Sequence, residues 1–459
     1  MKTMGLDIGT TSISAVVADG SGNVLESRTL LNDAAVTGKH DFERIQDPKR
    51  ILDICAELRD DILSRHRDIV AIGITGQMHG ILYVDRGGKA VSPFYTWQDM
   101  RGNRPFKDGH SYASWLSTET GYSMATGFGL TTHFYMTVNG LVPQGSVKIC
   151  NITDFVGMSF SGGSSPVLHP SMAASFGIYD VKSNEFDGKM AKRAGIDPNF
   201  LPAVDVCENP IGTWRDIQIT PSIGDNQASF LGSMNNESRI LVNIGTSSQI
   251  SIFSGRYETS DVLDCRPYIR GNYILVGSPL CGGYAYHILR DFFIKTAEFM
   301  GLTPPDDMYD RMNAAAAEFA HIKSPLVVDT RYNGTREDPS IRGAVTNIHS
   351  DTLLPGALCI GTLRGICDEL HRYWVSVRER IPEQSFIVAS GNGVRKNRVL
   401  QSVIAETFGM SVNTPVNTEE ACCGGAMFAL LVCGGFSSLE ELMTKIRYTS
   451  SGSLRYRLR

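Results

Sequence analysis

Met4-Gly5-Leu6-Asp7-Ile8-Gly9-Thr10-Thr11-Ser12-Ile13-Ser14-Ala15-Val16-Val17-Ala18 decides the fold. An apolar run, a glycine with hydroxyl residues, and an alternating run read as strand, tight turn, strand, with Gly9 at the bend. Asp19-Gly20 and Ser21-Gly22 punctuate the chain, and Asn23 to Leu30 supplies a third strand, so the chain opens as a meander. Asp47-Pro48 reads as a helix N-cap followed by an N1 proline, with Ile51, Ile54, Leu58 and Ile62 behind it at helical spacing. Ile69 to Ile74 is a continuous apolar run, as a buried strand requires, and it leads into Thr75-Gly76-Gln77-Met78-His79-Gly80.

The second half repeats this order. Leu241-Val242-Asn243-Ile244-Gly245-Thr246-Ser247-Ser248-Gln249-Ile250-Ser251-Ile252-Phe253 is again strand, turn, strand, and Tyr273 to Val276 is a third strand. A helix with Leu363, Ile366, Leu370 and Tyr373/Trp374 on one face precedes Phe386-Ile387-Val388-Ala389, which ends in Ser390-Gly391-Asn392-Gly393. Ile-Gly-Thr-Thr-Ser at Ile8 is answered by Ile-Gly-Thr-Ser-Ser at Ile244. A short match alone is weak, but the shared order of elements predicts two related α/β halves with different insertions. The seam is expected near Thr220-Pro221-Ser222, dividing the chain into residues 1–221 and 222–459. With no low-complexity linker, the halves should pack with a cleft between them.

At roughly 150 residues per domain, 459 residues suggest two or three domains, and 42% hydrophobic with 20% charged residues excludes disordered and coiled-coil classes. Forty-three Lys+Arg against 48 Asp+Glu, a net charge of -5, gives no basic surplus for nucleic acid or an anionic membrane. The longest apolar run, Ala426 to Cys433, is too short to span a bilayer, and Asp7 stands where a signal peptide needs an apolar stretch. A cytoplasmic protein is expected. Ten cysteines without C-x-x-C spacing read as reduced core residues rather than a zinc site, and Cys422-Cys423 as a buried pair in a helix. Oligomeric state stays open, a homodimer included.

A glycine bend lets backbone N–H groups approach an anion, and the adjoining Thr and Ser hydroxyls add donors. Two such bends facing a cleft could hold the phosphates of one nucleotide; alternatively each is only a β-turn. Asp7 beside a phosphate cradle would be repulsive unless Mg²⁺ lay between them, which suggests a metal role. Gly224-Asp225-Asn226-Gln227 begins a helix, so Asp225 either caps it or does chemistry. Gly76 to Gly80 and Trp97-Gln98-Asp99-Met100-Arg101 carry hydrogen-bonding and stacking groups suited to a polyol, although His79 taken singly reads as a core histidine.

Together these segments resemble the FGGY carbohydrate kinases, whose domains share the ribonuclease H-like fold of actin, hexokinase and the heat-shock chaperone ATPases. Asp7-Ile8-Gly9-Thr10-Thr11-Ser12 resembles the first phosphate motif, Gly224-Asp225-Asn226-Gln227 the catalytic segment, and Asn243-Ile244-Gly245-Thr246-Ser247 the second phosphate motif. Gly391-Asn392-Gly393 with Asn397 resembles the adenosine segment, and Gly283 joins the nucleotide contacts. Within the family, Thr75 to Gly80, Thr96-Trp97-Gln98-Asp99 and Ala125-Thr126-Gly127-Phe128-Gly129 look most like the members acting on sedoheptulose.

The resemblance implies that Asp225 is the general base and touches the sugar, that Asp7 associates with Mg²⁺, and that Thr10, Thr11, Ser12, Gly245, Thr246 and Ser247 contact phosphate. It implies a sugar pocket of Gln77, Met78, His79, Trp97, Gln98, Asp99 and Asp154, the last by its place in Ile152-Thr153-Asp154-Phe155. Three positions depart from the pattern. Ser14 stands where members usually carry Arg or Lys, Gly334-Thr335-Arg336 where Gly-Glu-Arg is common, and Asn392 inside the glycine triplet, where Asn tolerates positive φ. The implied activity is ATP- and Mg²⁺-dependent phosphorylation of a ketose, sedoheptulose to its 7-phosphate first and a pentulose such as xylulose second. An actin-like or chaperone-like ATP-driven switch is the rival; it accounts for both hairpins but not for Gly224 to Gln227 beside a Trp/Gln/Asp/His-rich pocket.

Overall fold

The computed structural model describes residues 1–321, 326–335, 338 and 340–449; Arg336 of the Gly334-Thr335-Arg336 segment lies outside them. The opening meander forms as β1 (Lys2–Ile8), β2 (Ser12–Asp19) and β3 (Val24–Leu31), antiparallel throughout. Helix α1 (Pro48–Arg65) starts as its sequence dictates: the Asp47 side chain accepts the Lys49 N–H at 2.9 Å and Pro48 occupies the first turn. Its Ile51, Ile54, Leu58 and Ile62 stripe is buried against the sheet, and the chain returns as β4 (Ile69–Gly76), parallel to β1.

After an insertion carrying helix α2 (Ile152–Ser161), the chain rejoins this sheet as β5 (Gly212–Trp214), β6 (Ile217–Ile219) and β7 (Ile223–Gly224). The first sheet runs β5-β6-β4-β1-β2-β3, with β7 also on β4. The insertion has a hydrophobic cluster of its own, including Ile81, Tyr83, Leu130, Phe134, Phe176 and Ile178.

Helix α3 (Asp225–Ser233) leads into the second half, where β8 (Ile240–Ile244), β9 (Ser248–Phe253), β10 (Asp264–Pro267) and β11 (Tyr273–Gly277) repeat the meander. Helix α4 (Pro355–Val375) buries Leu363, Ile366, Leu370 and Trp374 on one face and precedes β12 (Phe386–Ser390), parallel to β8 as β4 is to β1. Helices α5 (Asn392–Lys396) and α6 (Arg398–Phe408) then lead to β13 (Ser411–Pro415). The second sheet runs β10-β11-β9-β8-β12-β13, closed at its edge by Tyr448–Thr449. Both sheets therefore share one core order, three antiparallel strands followed by parallel ones, which is the two-domain architecture expected.

Helix α7 (Glu420–Val432) holds the longest apolar run and is buried on all sides, including Cys422 and Cys423. It belongs to the second half by sequence yet lies on the first sheet, where Thr3 Oγ1 donates to Ala426 O at 2.7 Å and Cys422 Sγ to Gly5 O at 3.3 Å. With α3 it fills the space between the halves, sharing a core of Ile223, Leu231, Leu241, Val276, Val388 and Met427. The cysteines are free thiols; seven are buried, but Cys207 is exposed and Cys265 and Cys433 are partly so, against the expectation that they are core residues. Among the described residues no helix is long and apolar enough to cross a membrane.

Candidate active site

Strand register assembles the site. Asp7 pairs with Thr75 and Ile8 with Gly76 across β1 and β4, while Ile223 pairs with Thr75 and Gly224 with Gly76 across β7 and β4. Because these strands are parallel, Asp7, Gln77 and Asp225 emerge together at their carboxyl ends, where open α/β sheets place ligands. The first hairpin is tied directly to the polyol segments. Gln77 N–H donates to Ile8 O at 3.0 Å, Gln77 Nε2 to Gly9 O at 3.3 Å, and Trp97 Nε1 to Thr10 Oγ1 at 3.1 Å. Thr11 is exposed at the tip, with Thr10 and Ser12 half-buried beside it.

Asp225 is the first residue of α3; the N-cap is Gly224, which offers no side chain. Its carboxylate accepts the Asn226 N–H at 2.6 Å, so a helix-end contact exists, yet the side chain is open to the cleft. The residue is exposed, yet the protein around its carboxyl partly desolvates it. Burial raises its pKa, while the Asn226 N–H and the charge of Arg266 pull it back down. Asp7 is pushed up to about 7, first by burial and then by the negative charges of Asp225 and Glu419. Carboxylates that repel one another in a confined space fit a hard divalent cation held through oxygen. Among the described residues no cluster of three or more His, Cys, Asp or Glu could hold a metal alone, so water and phosphate oxygens would have to complete such a shell.

The three segments that the sequence suggests for a polyol converge. His79 takes a left-handed conformation, φ 71°, with its Nδ1 2.9 Å from Ser175 O and its ring stacked on Phe128 at 4.6 Å. Since a carbonyl only accepts, Nδ1 carries the hydrogen of that bond. Thr126 Oγ1 donates to Asp99 O at 3.0 Å, joining the second and third segments. Met78 is buried against Gly224, the residue before Asp225. Trp97 is 46% exposed and Gln98 is also exposed.

Asp99 is a correction. It has no exposed surface, its oxygens take Arg101 Nε at 2.6 Å and Arg101 Nη2 at 3.1 Å, and Arg44 N–H adds a third contact at 3.1 Å. A buried carboxylate so satisfied holds the Trp97 loop in shape and presents nothing to a ligand.

Asp154, in the first turn of α2, is likewise buried. One oxygen accepts from Ser222 Oγ and the other, Oδ2, has no partner; burial pushes the carboxyl up to about 8 despite the Ser222 hydrogen bond. A raised carboxyl stabilises the fold fully below its unfolded value, and that contribution is lost as pH climbs through the folded one. Asp154→Asn, which cannot ionise, is therefore expected to flatten the fall in melting temperature between about pH 4 and pH 8. Thermal melts of both proteins across that range check this; parallel curves would show that Asp154 does not titrate in the fold.

The segments that the resemblance assigns to the nucleotide meet at the second hairpin. A Cβ on Gly283 would fall on Gly245 O, and one on Gly391 or Gly393 would fall on Ile244 O, so all three glycines pack directly against the end of β8. Gly391 has φ 91°. Asn392 instead starts α5 with helical backbone, so the positive φ expected for it is carried by Gly391. Thr246 and Ser247 are exposed at the hairpin tip. Asn397 is buried; its Oδ1 accepts the Leu400 N–H at 3.0 Å and its Nδ2 reaches Asn313 at 2.8 Å, so it anchors the α5–α6 turn rather than facing a ligand, a second correction. Ser14 bonds Thr29 Oγ1 at 2.9 Å across the strands.

Beside Asp225 lies a polar chain that sequence reasoning did not single out beyond Asn226. Asn226 Nδ2 donates to Gln249 Oε1 at 2.6 Å, and Gln249 Nε2 to Ser278 Oγ at 3.0 Å. Ser278 lines a cavity of about 270 Å³ together with Ser123 from the first half and Asp264 and Tyr373 from the second. The available signal was Gln249 and Ser251, polar residues at alternate positions of a strand that otherwise reads as buried.

Residues 2–227 match the N-terminal domain of the FGGY family of carbohydrate kinases, and residues 241–433 match its C-terminal domain. A sedoheptulokinase of Mus musculus is 27% identical over 88% of this chain and 92% of its own. A xylulose kinase of Staphylococcus xylosus is 23% identical over 96% of this chain and 92% of its own. The solved structure of a xylulose kinase from Rhodospirillum rubrum superimposes with a TM-score of 0.82 at 19% identity, covering 98% of this chain and 93% of that one.

Proposed function

The chain belongs to the FGGY family of carbohydrate kinases, and we propose that within it the chain is a Mg²⁺-dependent ketose kinase acting on sedoheptulose. Membership makes it an ATP-using sugar kinase and sets aside the ATP-driven switch. What supports the residue roles is one convergence: Asp225 stands at the strand ends between the Asp7 hairpin and the Gln77–Trp97 segments. We assign residues 1–221 to sugar and first-phosphate contacts, and 222–459 to the base and the nucleotide.

Asp225 accepts the proton of the attacking sugar hydroxyl. Burial raises its basicity, and the Asn226 N–H and the charge of Arg266 oppose that rise. Thr10, Thr11, Ser12 and the Gly245–Ser247 turn donate to the phosphates from opposite halves, which aligns hydroxyl and γ-phosphate. Asp7, with Asp225 near it, would hold Mg²⁺; when bound, the ion neutralises charge on the β- and γ-phosphates. His79, Gln77 and Trp97 orient the polyol, and closure of the halves over it excludes water that would otherwise take the phosphoryl group.

Substrate class follows from the number of polar groups. Gln77 Oε1, the His79 ring, the exposed Gln98 amide and the exposed Trp97 ring exceed what a three-carbon triol can occupy, and a polar atom left unpaired in a closed cleft costs about 1–3 kcal/mol. Glycerol is expected to be poor. If the seven-carbon chain satisfies two more hydroxyls at about 0.5–1.5 kcal/mol each, kcat/KM for sedoheptulose should exceed that for xylulose roughly five- to hundred-fold. ATP-coupled turnover on sedoheptulose, xylulose, ribulose and glycerol tests this. A win for xylulose would replace the sedoheptulose assignment with a pentulose.

A further inference from the structure

A buried chain of hydrogen bonds reaches the base-bearing peptide from behind. Gly224 N–H donates to Ser171 Oγ at 3.1 Å, and Ser171 Oγ lies 2.8 Å from His169 Nδ1. His169 Nε2 lies 3.4 Å from Glu208 Oε1, which also accepts the Arg270 N–H at 2.5 Å. Glu208 Oε2 is 3.6 Å from the Arg270 guanidinium. His169, Ser171 and Glu208 are all buried.

The direction of the chain is determined. Ser171 N–H donates to His169 Nδ1 at 3.1 Å, so Nδ1 carries no hydrogen and Nε2 does. Nε2–H therefore points at Glu208, the Ser171 hydroxyl gives its hydrogen to Nδ1, and its lone pair receives the Gly224 N–H. A carboxylate at the head of such a chain polarises every link toward its end. Glutamate, histidine and serine are also the residues of a hydrolytic triad, but Ser171 Oγ is closed off and already bonded to Gly224, so these three position and do not react.

The chain also joins the halves. Glu208 and Arg270 both hold left-handed backbone, φ 57° and φ 56°, and meet where the turn between β10 and β11 touches the first half. Non-glycine residues keep such conformations only where their surroundings enforce them. We propose that Glu208 is a positioning residue which, through His169 and Ser171, holds the Gly224–Asp225 peptide in its reactive orientation once the Arg270 turn of the second half is docked on it.

This rests on Asp225 being the base, and the test separates the two. In the full-length chain, with the best ketose of the panel above, kcat and both KM values are measured per folded enzyme for Ser171→Ala, Glu208→Ala, Glu208→Gln and Asp225→Asn. Ser171→Ala and Glu208→Ala should lower kcat about 10- to 100-fold with the sugar and ATP KM values nearly unchanged. Glu208→Gln should keep most of the rate, because its amide oxygen can take both N–H groups. Wild-type kcat in Ser171→Ala overturns the proposal, as does a loss expressed in KM alone or a Glu208→Gln variant as slow as Glu208→Ala. If Glu208→Ala does not fold, Ser171→Ala, which removes one hydroxyl, decides. Normal turnover in Asp225→Asn would refute the base itself, whereas a dead Asp225→Asn beside a normal Ser171→Ala refutes only the positioning.

Discussion

Asp225→Asn is expected to bind ATP about as well as the native chain and to turn over about 10²–10⁴-fold more slowly, the usual cost of removing a general base. The substitution is conservative where the fold needs it. Asn can still accept the Asn226 N–H through its amide oxygen, and Gly224, not Asp225, is the helix N-cap, so α3 should start where it does now. What is lost is a basic oxygen facing the cleft. It also removes one of the charges that raise Asp7, so the Asp7 carboxyl should titrate lower in the variant. Nucleotide affinity by calorimetry, beside steady-state turnover on the preferred ketose, gives the result. Near-native turnover would leave Asp225 as a helix-end residue only.

Gly424→Ala should destabilise the protein by about 1–3 kcal/mol, opposite in sign to what helix propensity predicts. In an exposed helix the change would gain about 1 kcal/mol. Here a Cβ on Gly424 would lie 1.9 Å from Ala228 O, and one on Gly232 would lie 2.0 Å from Glu420 O. Both obstacles are backbone atoms, which cannot rotate aside, so α3 and α7 must separate. Asp225 begins one of these helices and Glu419 precedes the other, so turnover should fall with stability. Gly425→Ala is the internal control: its Cβ would meet nothing closer than 3.5 Å. Urea unfolding of the three proteins measures the effect. Equal stability of Gly424→Ala and the native chain would mean that the helix crossing is looser than described.

The two hairpins, the buried strands after each amphipathic helix and the Asp47-Pro48 helix start were all legible, because each is written in spacing, turn chemistry or capping within a few residues. Two resemblance-based assignments, Asp99 and Asn397, went elsewhere. A motif says which residue type stands at a loop, not whether that residue's polar atoms are consumed by a neighbour. Arg101 takes up Asp99, and Leu400 with Asn313 takes up Asn397.

By itself, then, the sequence determined the repeated strand order, the two glycine-bearing hairpin turns and the presence of Asp225 at a helix start, since backbone propensity and periodicity act locally. Only the tertiary structure decided that helix α7 of the second half lies on the first sheet, that Gln249 links Asn226 to Ser278, and that Glu208 is linked through His169 and Ser171 to the Gly224–Asp225 peptide. Those depend on which distant polar group satisfies a buried donor or acceptor, and a buried polar atom finds its partner in space, not along the chain.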